Sequence, residues 1–367
     1  VTGVQTCALP ISRTSLAGLW RYDYDDTGQL ICWTAPWGRR VDYRYDGLGN
    51  RLLVRDNGTN IAYTVNSLNQ YTHVGSTTYQ YDADGNLTTK NTTEGATAFS
   101  WTTDNRLAQA SRKGENWQNI YNATGNRVRS GTDISVRIFV IDPSGLGNIA
   151  GEFDSGGSLL ARYLNGVGVV SRDWTDGSAA SFTFDALGNT SELVSNSGNI
   201  MSALSYSPFG ELLTDTQTSE AEFQFVGKFG VASDFDGLHN MRMRFYSADL
   251  GRFVSLDPIK NRGGLNQYRY GNNNPVSLID PLGLLAREYD PNTNWPEWMY
   301  NQNRNPYWPY SPPNYGYRDL YPGDNRPFWD KVKDIWDFVS PFLDIPNIIG
   351  VPLDIILNPD PIGPGDE

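Results

Sequence analysis

The stretch YRYDGLGNRL, Tyr43 to Leu52, decides the fold. Tyr43 and Tyr45 are two apart, so on an extended strand both rings lie on one face. Asp46 ends the strand, and Gly49-Asn50 supplies the positive-φ positions of a tight turn. Leu52 and Val54 then begin a return strand with matching parity, so the phrase reads as one β-hairpin. The phrase recurs as YDYDDTGQL from Tyr22, YQYDADGNL from Tyr79 and FTFDALGNT from Phe182. Weaker copies are YTVNSLNQY from Tyr63, FSWTTDNRL from Phe99 and IYNATGNRV from Ile120, with SYSPFGEL from Ser205 as a late variant. The phrase fades over Arg137 to Arg172. Successive third positions (Tyr24, Tyr45, Val65, Tyr81, Trp101, Tyr121) give a period of about twenty residues. One hairpin is marginal alone, but stacked hairpins bury a continuous face. The expected fold is all-β.

Composition agrees. The chain has 367 residues with 37 Gly, 21 Tyr, 11 Trp and 4 Met, a profile of pleated strands and glycine-rich turns. Its formal net charge of −12 argues against nucleic acid as a partner of the repeats, which would need a basic stripe. Two cysteines, Cys7 and Cys32, and two histidines, His73 and His239, form no metal-ligand spacing, so no metal or cofactor is expected. His239 is assigned no role. No apolar run reaches the length of a membrane span.

The first residues, VTGVQTCALPI (1–11), read as a translated sequencing adapter rather than a signal peptide. No Cys7–Cys32 disulfide is therefore expected. The chain is expected to be the C-terminal part of something longer.

The repeats resemble the YD repeat of the Rhs family. The sequence FQFVGKFGVASDFDGLHNMRMRFYSADLGRFVSLDPI that follows them, and PVSLIDPLGL from Pro275 to Leu284, resemble the Rhs repeat-associated core. This is the pattern of polymorphic toxins and insecticidal toxin C subunits. The resemblance implies repeats at 12–231 spiralling into a shell around a cargo polypeptide, and a core at 232–284 that plugs it. It also implies an intramolecular aspartyl protease as the sole enzymatic activity. Carried over position by position, its catalytic set is Arg244, Asp257 and Asp280, and the bond cut is Leu284–Leu285. Pro275, Pro281 and Gly283 complete the motif. Arg242 and Arg252 flank Arg244 and compete with it for the arginine role. The chemistry suits these residues, because hydrolysis by two carboxylates needs one protonated and one ionised, and proximity separates their pKa values. Taken alone, Asp-Pro and Pro-Leu-Gly are ordinary turn sequences.

The resemblance implies a secreted or cell-surface protein working with secretion and delivery machinery and an immunity protein, its cargo being its own C-terminal tail. The tail, 285–367, is rich in Pro, Tyr and Trp, with one amphipathic helix expected over Pro327 to Val339. The tail is a toxin or a remnant, and no nuclease or deaminase pattern is visible in it. A different class of function stays open: a non-enzymatic surface protein whose repeat Tyr and Trp side chains bind carbohydrate or a partner cell.

Overall fold

A computed structural model describes residues 12–15, 18–143, 146–166, 168–215 and 221–288. The adapter-like start, Cys7 and the tail with its expected helix lie outside the described residues.

Twenty-one strands, from Ser12–Ser15 to Leu212–Asp215, form one antiparallel ladder in which each strand pairs with its sequence neighbours. No α-helix occurs among the described residues. The sheet curls until residues 172 positions apart meet, as in the pairs Arg13–Asp185 and Arg39–Glu211.

The residue that opens each turn, aspartate in the strong copies and Asn66, Thr102 or Asn122 in the weak ones, accepts hydrogen bonds from the turn's amides. Asp46 Oδ1 accepts the Leu48 and Asn50 amides at 2.9 Å, and Oδ2 accepts Asn50 Nδ2 at 2.8 Å. Gly49 takes φ +77° as expected, but Asn50 does not take a positive φ. Its side chain instead spans turns, donating to Asn69 Oδ1 at 2.9 Å, and Asn86 repeats this with Asn105 at 2.7 Å. In the two weak copies without glycine, Asn69 and Asn105 occupy the left-handed position at φ 62° and 60°, as asparagine tolerates.

A β-bulge beside each such turn changes the expected facing. Arg44 pairs with Leu53 but Tyr45 with Arg51, so Leu52 is the extra residue. Leu52 is therefore exposed, while Arg51 and Val54 point inward, which corrects the parity read from sequence. The second aromatic of the phrase uses its polar tip: Tyr45, Trp101 and Tyr121 donate to the carbonyls of Leu30, Leu87 and Leu107 in the preceding hairpin. The hairpins also run without interruption through Arg137–Arg172, where the phrase fades. There Gly147 (φ 70°) makes one turn, and Asp154 with Gly157 (φ 82°) another.

The inner face of the ladder is covered by the chain after residue 221. Tyr163 and Phe182 pack on Phe223, Trp117 on Phe235 and Tyr81 on Tyr268. The core residues include a four-stranded sheet (Ala232–Ser233, Leu238–Met241, Arg244–Ser247, Arg252–Phe253). Their loops cross the row of hairpin turns. Arg252 donates to Asn69 O and Asn50 Oδ1, Tyr268 to Gly85 O, and Asn273 to Gly49 O. Cys32 is a buried free thiol.

Candidate active site

Three segments of the core bring Arg244, Asp257 and Asp280 together. Arg244 opens the strand Arg244–Ser247. Asp257 starts an Asp-Pro turn, its Oδ1 accepting the Ile259 amide at 2.9 Å. Asp280 opens the Asp-Pro-Leu-Gly turn, closed by Gly283 N donating to Asp280 O at 3.1 Å. Gly283 sits at φ +66°, and a Cβ there would press on the Met241 carbonyl at 2.7 Å, so this turn requires glycine. Pro281 occupies the second position, where its fixed φ suits the turn.

One nitrogen serves both carboxylates. Arg244 Nη2 lies 2.9 Å from Asp257 Oδ2 and 3.3 Å from Asp280 Oδ2. The rest of the guanidinium holds backbone: Nε donates to Gly283 O at 2.6 Å and Nη1 to Gln267 O at 2.8 Å. Its plane lies over Phe253 with Cζ 3.5 Å from the ring centroid. The other two arginines are committed elsewhere. Arg242 ties the carbonyls of Leu146, Pro281 and Phe229 together, and Arg252 anchors the core on the hairpin turns.

Asp280 also addresses the bond marked by the motif. Its Oδ1 accepts the Leu284 amide at 2.9 Å and the Leu285 amide at 3.2 Å. Leu284 is buried, and the chain leaves the site as a short strand, Arg287–Glu288, paired with Leu278–Ile279.

Arg244, Asp257 and Asp280 are all buried. Burial pushes the Asp257 carboxyl up to about 6 against the pull of Arg244, and the charge of Asp280 adds to the rise. Burial also raises Asp280, opposed by Arg244 and the amides of Leu284, Leu285 and Gly283. One guanidinium facing two such carboxyls favours a state with one proton between them. His239 lies between Phe225 and Tyr246, and burial lowers it to about 4, so it is a neutral core residue. Among the described residues no cluster of His, Cys, Asp or Glu is arranged to hold a metal ion.

Reading the sequence did not reveal that Gly283 O, Gln267 O and Phe253 hold the guanidinium. Two of these contacts are backbone carbonyls, which carry no residue-type signal. The repeat aromatics offer little for an external ligand: Tyr22, Tyr43, Tyr63 and Tyr79 are buried, and Trp37 is half exposed.

The sequence profile of the Teneurin YD-shell family matches residues 12–276. The chain is 28% identical over 273 residues to the tRNA3(Ser)-specific nuclease WapA of Bacillus spizizenii, covering 71% of this chain and 12% of that protein. It is 27% identical over 309 residues to double-stranded DNA deaminase toxin A of Burkholderia cenocepacia, covering 74% of this chain and 21% of that protein. The solved TcdB2-TccC3-TEV structure overlays with a TM-score of 0.41 at 17% identity, covering 75% of this chain and 19% of that one. The chain thus spans between 12% and 21% of the length of these proteins.

Proposed function

The chain belongs to the teneurin YD-shell family, and from that premise we propose that it closes a polymorphic-toxin shell and cuts itself between Leu284 and Leu285. The observation that carries this reading is the shared Arg244 nitrogen between Asp257 and Asp280, with Asp280 also against the Leu285 amide.

In the proposed step Asp257 is protonated and Asp280 ionised. Asp257 donates to the Leu284 carbonyl oxygen as negative charge develops there. Asp280 takes a proton from the attacking water, whose oxygen bonds to the Leu284 carbonyl carbon. The carbon–nitrogen bond then breaks, and Asp280 passes its proton to the Leu285 nitrogen. As the carbonyl re-forms, the proton returns to Asp257, leaving a carboxylic acid and an amine. Arg244 holds Asp280 in its charged form and fixes Gly283, one residue before the reacting carbonyl. Because bond and catalyst share one chain, positioning is intramolecular and turnover is single.

The freed segment begins at Leu285 and is the cargo of the shell. The similarity to double-stranded DNA deaminase toxin A over 309 residues supports a delivery context, with export and a protective immunity protein as parts of the proposal. The burial of the repeat aromatics weighs against a carbohydrate-binding surface as the main role. N-terminal sequencing of the released fragment tests the reading. A start at Leu285 supports it, whereas a start at Pro281 reports acid scission of the Asp-Pro bond and counts against it.

A further inference from the structure

We propose that Gly263 is a positioning residue of the cleavage site, its missing side chain keeping open the gap across which the Asp257 carboxyl meets the Leu284 carbonyl. This rests on the self-cleavage reading and extends it to a residue outside the Arg-Asp-Asp set.

Three observations carry it. A Cβ built on Gly263 would overlap Asp257 Oδ2, lie 3.0 Å from Asp257 Cγ and reach 3.6 Å from the Leu284 carbonyl oxygen. The carboxyl and the carbonyl oxygen therefore both lie within van der Waals reach of the position a Gly263 side chain would fill. Second, Gly263 has no left-handed backbone, so its conformation does not demand glycine. Its neighbour Gly264 differs: it sits at φ +116° with its nearest neighbour atom at 3.7 Å, so conformation selects that glycine and space does not. Third, Asp257 cannot retreat from an added methyl without losing bonds, since Ile259 N holds Oδ1 at 2.9 Å and Arg244 Nη2 holds Oδ2 at 2.9 Å. A side chain at 263 would displace either the acid or the loop Lys260–Gly263.

The test compares self-cleavage of the wild type, Gly263→Ala, Gly263→Ser and Gly264→Ala by intact mass over time, with circular dichroism melting of each. Filling the gap is expected to slow the cut on the order of a hundredfold, the cost of a misplacement near 1 Å. Gly264→Ala is expected to melt earlier yet still cut. The pH midpoint of the residual cleavage in Gly263→Ala, which a loss of stability alone would not move, is expected to rise as the methyl excludes water from Asp257. A wild type that cuts while both Gly263 variants cut equally fast overturns this inference alone. Loss of fold in both overturns it in favour of a structural role. An uncut wild type overturns the self-cleavage reading and this inference with it.

Discussion

Asp280 Oδ1 lies 3.2 Å from the amide nitrogen of Leu285, the first residue beyond the DPLGL motif. In the proposed cleavage that oxygen is the one that hands a proton to the departing amine. Asp280→Asn preserves the shape but cannot take the proton from water, and the cut is expected to slow by about two orders of magnitude or more. Both changes strip the buried Arg244 of a counter-charge, worth about 3–5 kcal/mol in stability, and Asp280→Ala also leaves the Leu284 and Leu285 amides without their acceptor. Intact-mass time courses and denaturant melts of the two variants separate these effects.

The pH dependence follows from Asp257. Burial raises its carboxyl from 3.8 to about 6, so the protonated acid required by the proposed step is depleted above that point. Cleavage is expected to fall by about tenfold per pH unit once pH passes 6. Stability moves in the same sense. The favourable contribution of the raised group is complete below the unfolded value and is lost as pH climbs through about 6. In Asp257→Asn the stability difference between pH 4 and pH 7 should shrink but not disappear, because Glu152 and Asp280 are also raised; denaturant titrations at the two pH values check this.

Arg252 ties the core to the repeats. It bonds Asn69 O at 2.8 Å and Asn50 Oδ1 at 3.0 Å, with Cζ 3.4 Å from the Tyr71 ring centroid. Arg252→Ala removes charge-assisted hydrogen bonds and a buried stacking contact, and is expected to cost about 3 kcal/mol. Cleavage in the surviving folded fraction should persist, because Arg252 touches neither aspartate. A melt combined with a cleavage assay at low temperature tests both halves.

A second buried carboxylate pair lies where the repeat phrase fades. Glu152 accepts from Tyr163 at 2.9 Å and Arg172 at 3.0 Å, and Glu222 from Arg137 at 2.6 Å. Burial and the neighbouring Glu222 push Glu152 up to about 8. Its stabilising contribution is present below 4.5 and lost as pH rises through about 8. Wild type should therefore lose stability between pH 6 and 9, and Glu152→Gln should lose less over the same range, as measured by guanidinium titration.

Much of this architecture was legible because its signals are local. The aromatic pair, the aspartate and the glycine of Tyr43–Asn50 specify a hairpin from residue type alone, and a motif shared with a known family marks Arg244, Asp257 and Asp280. What was hidden is non-local. The bulge that turns Leu52 outward and Arg51 inward depends on pairing across the strands. The choice of Arg244 over Arg242 and Arg252 depends on where three guanidinium groups end after folding. The hairpins through Arg137–Arg172 lack the repeat phrase, and their inner face mixes the buried charges of Glu152 and Arg172 with the aromatics Phe139 and Tyr163.

Intact-mass analysis of the chain, beside Asp257→Asn and Asp280→Asn, tests self-cleavage most directly. The expected result is two fragments meeting at Leu284–Leu285 in the wild type and an unbroken chain in both variants. An unbroken wild type, or a wild-type cut that survives both substitutions, would contradict it.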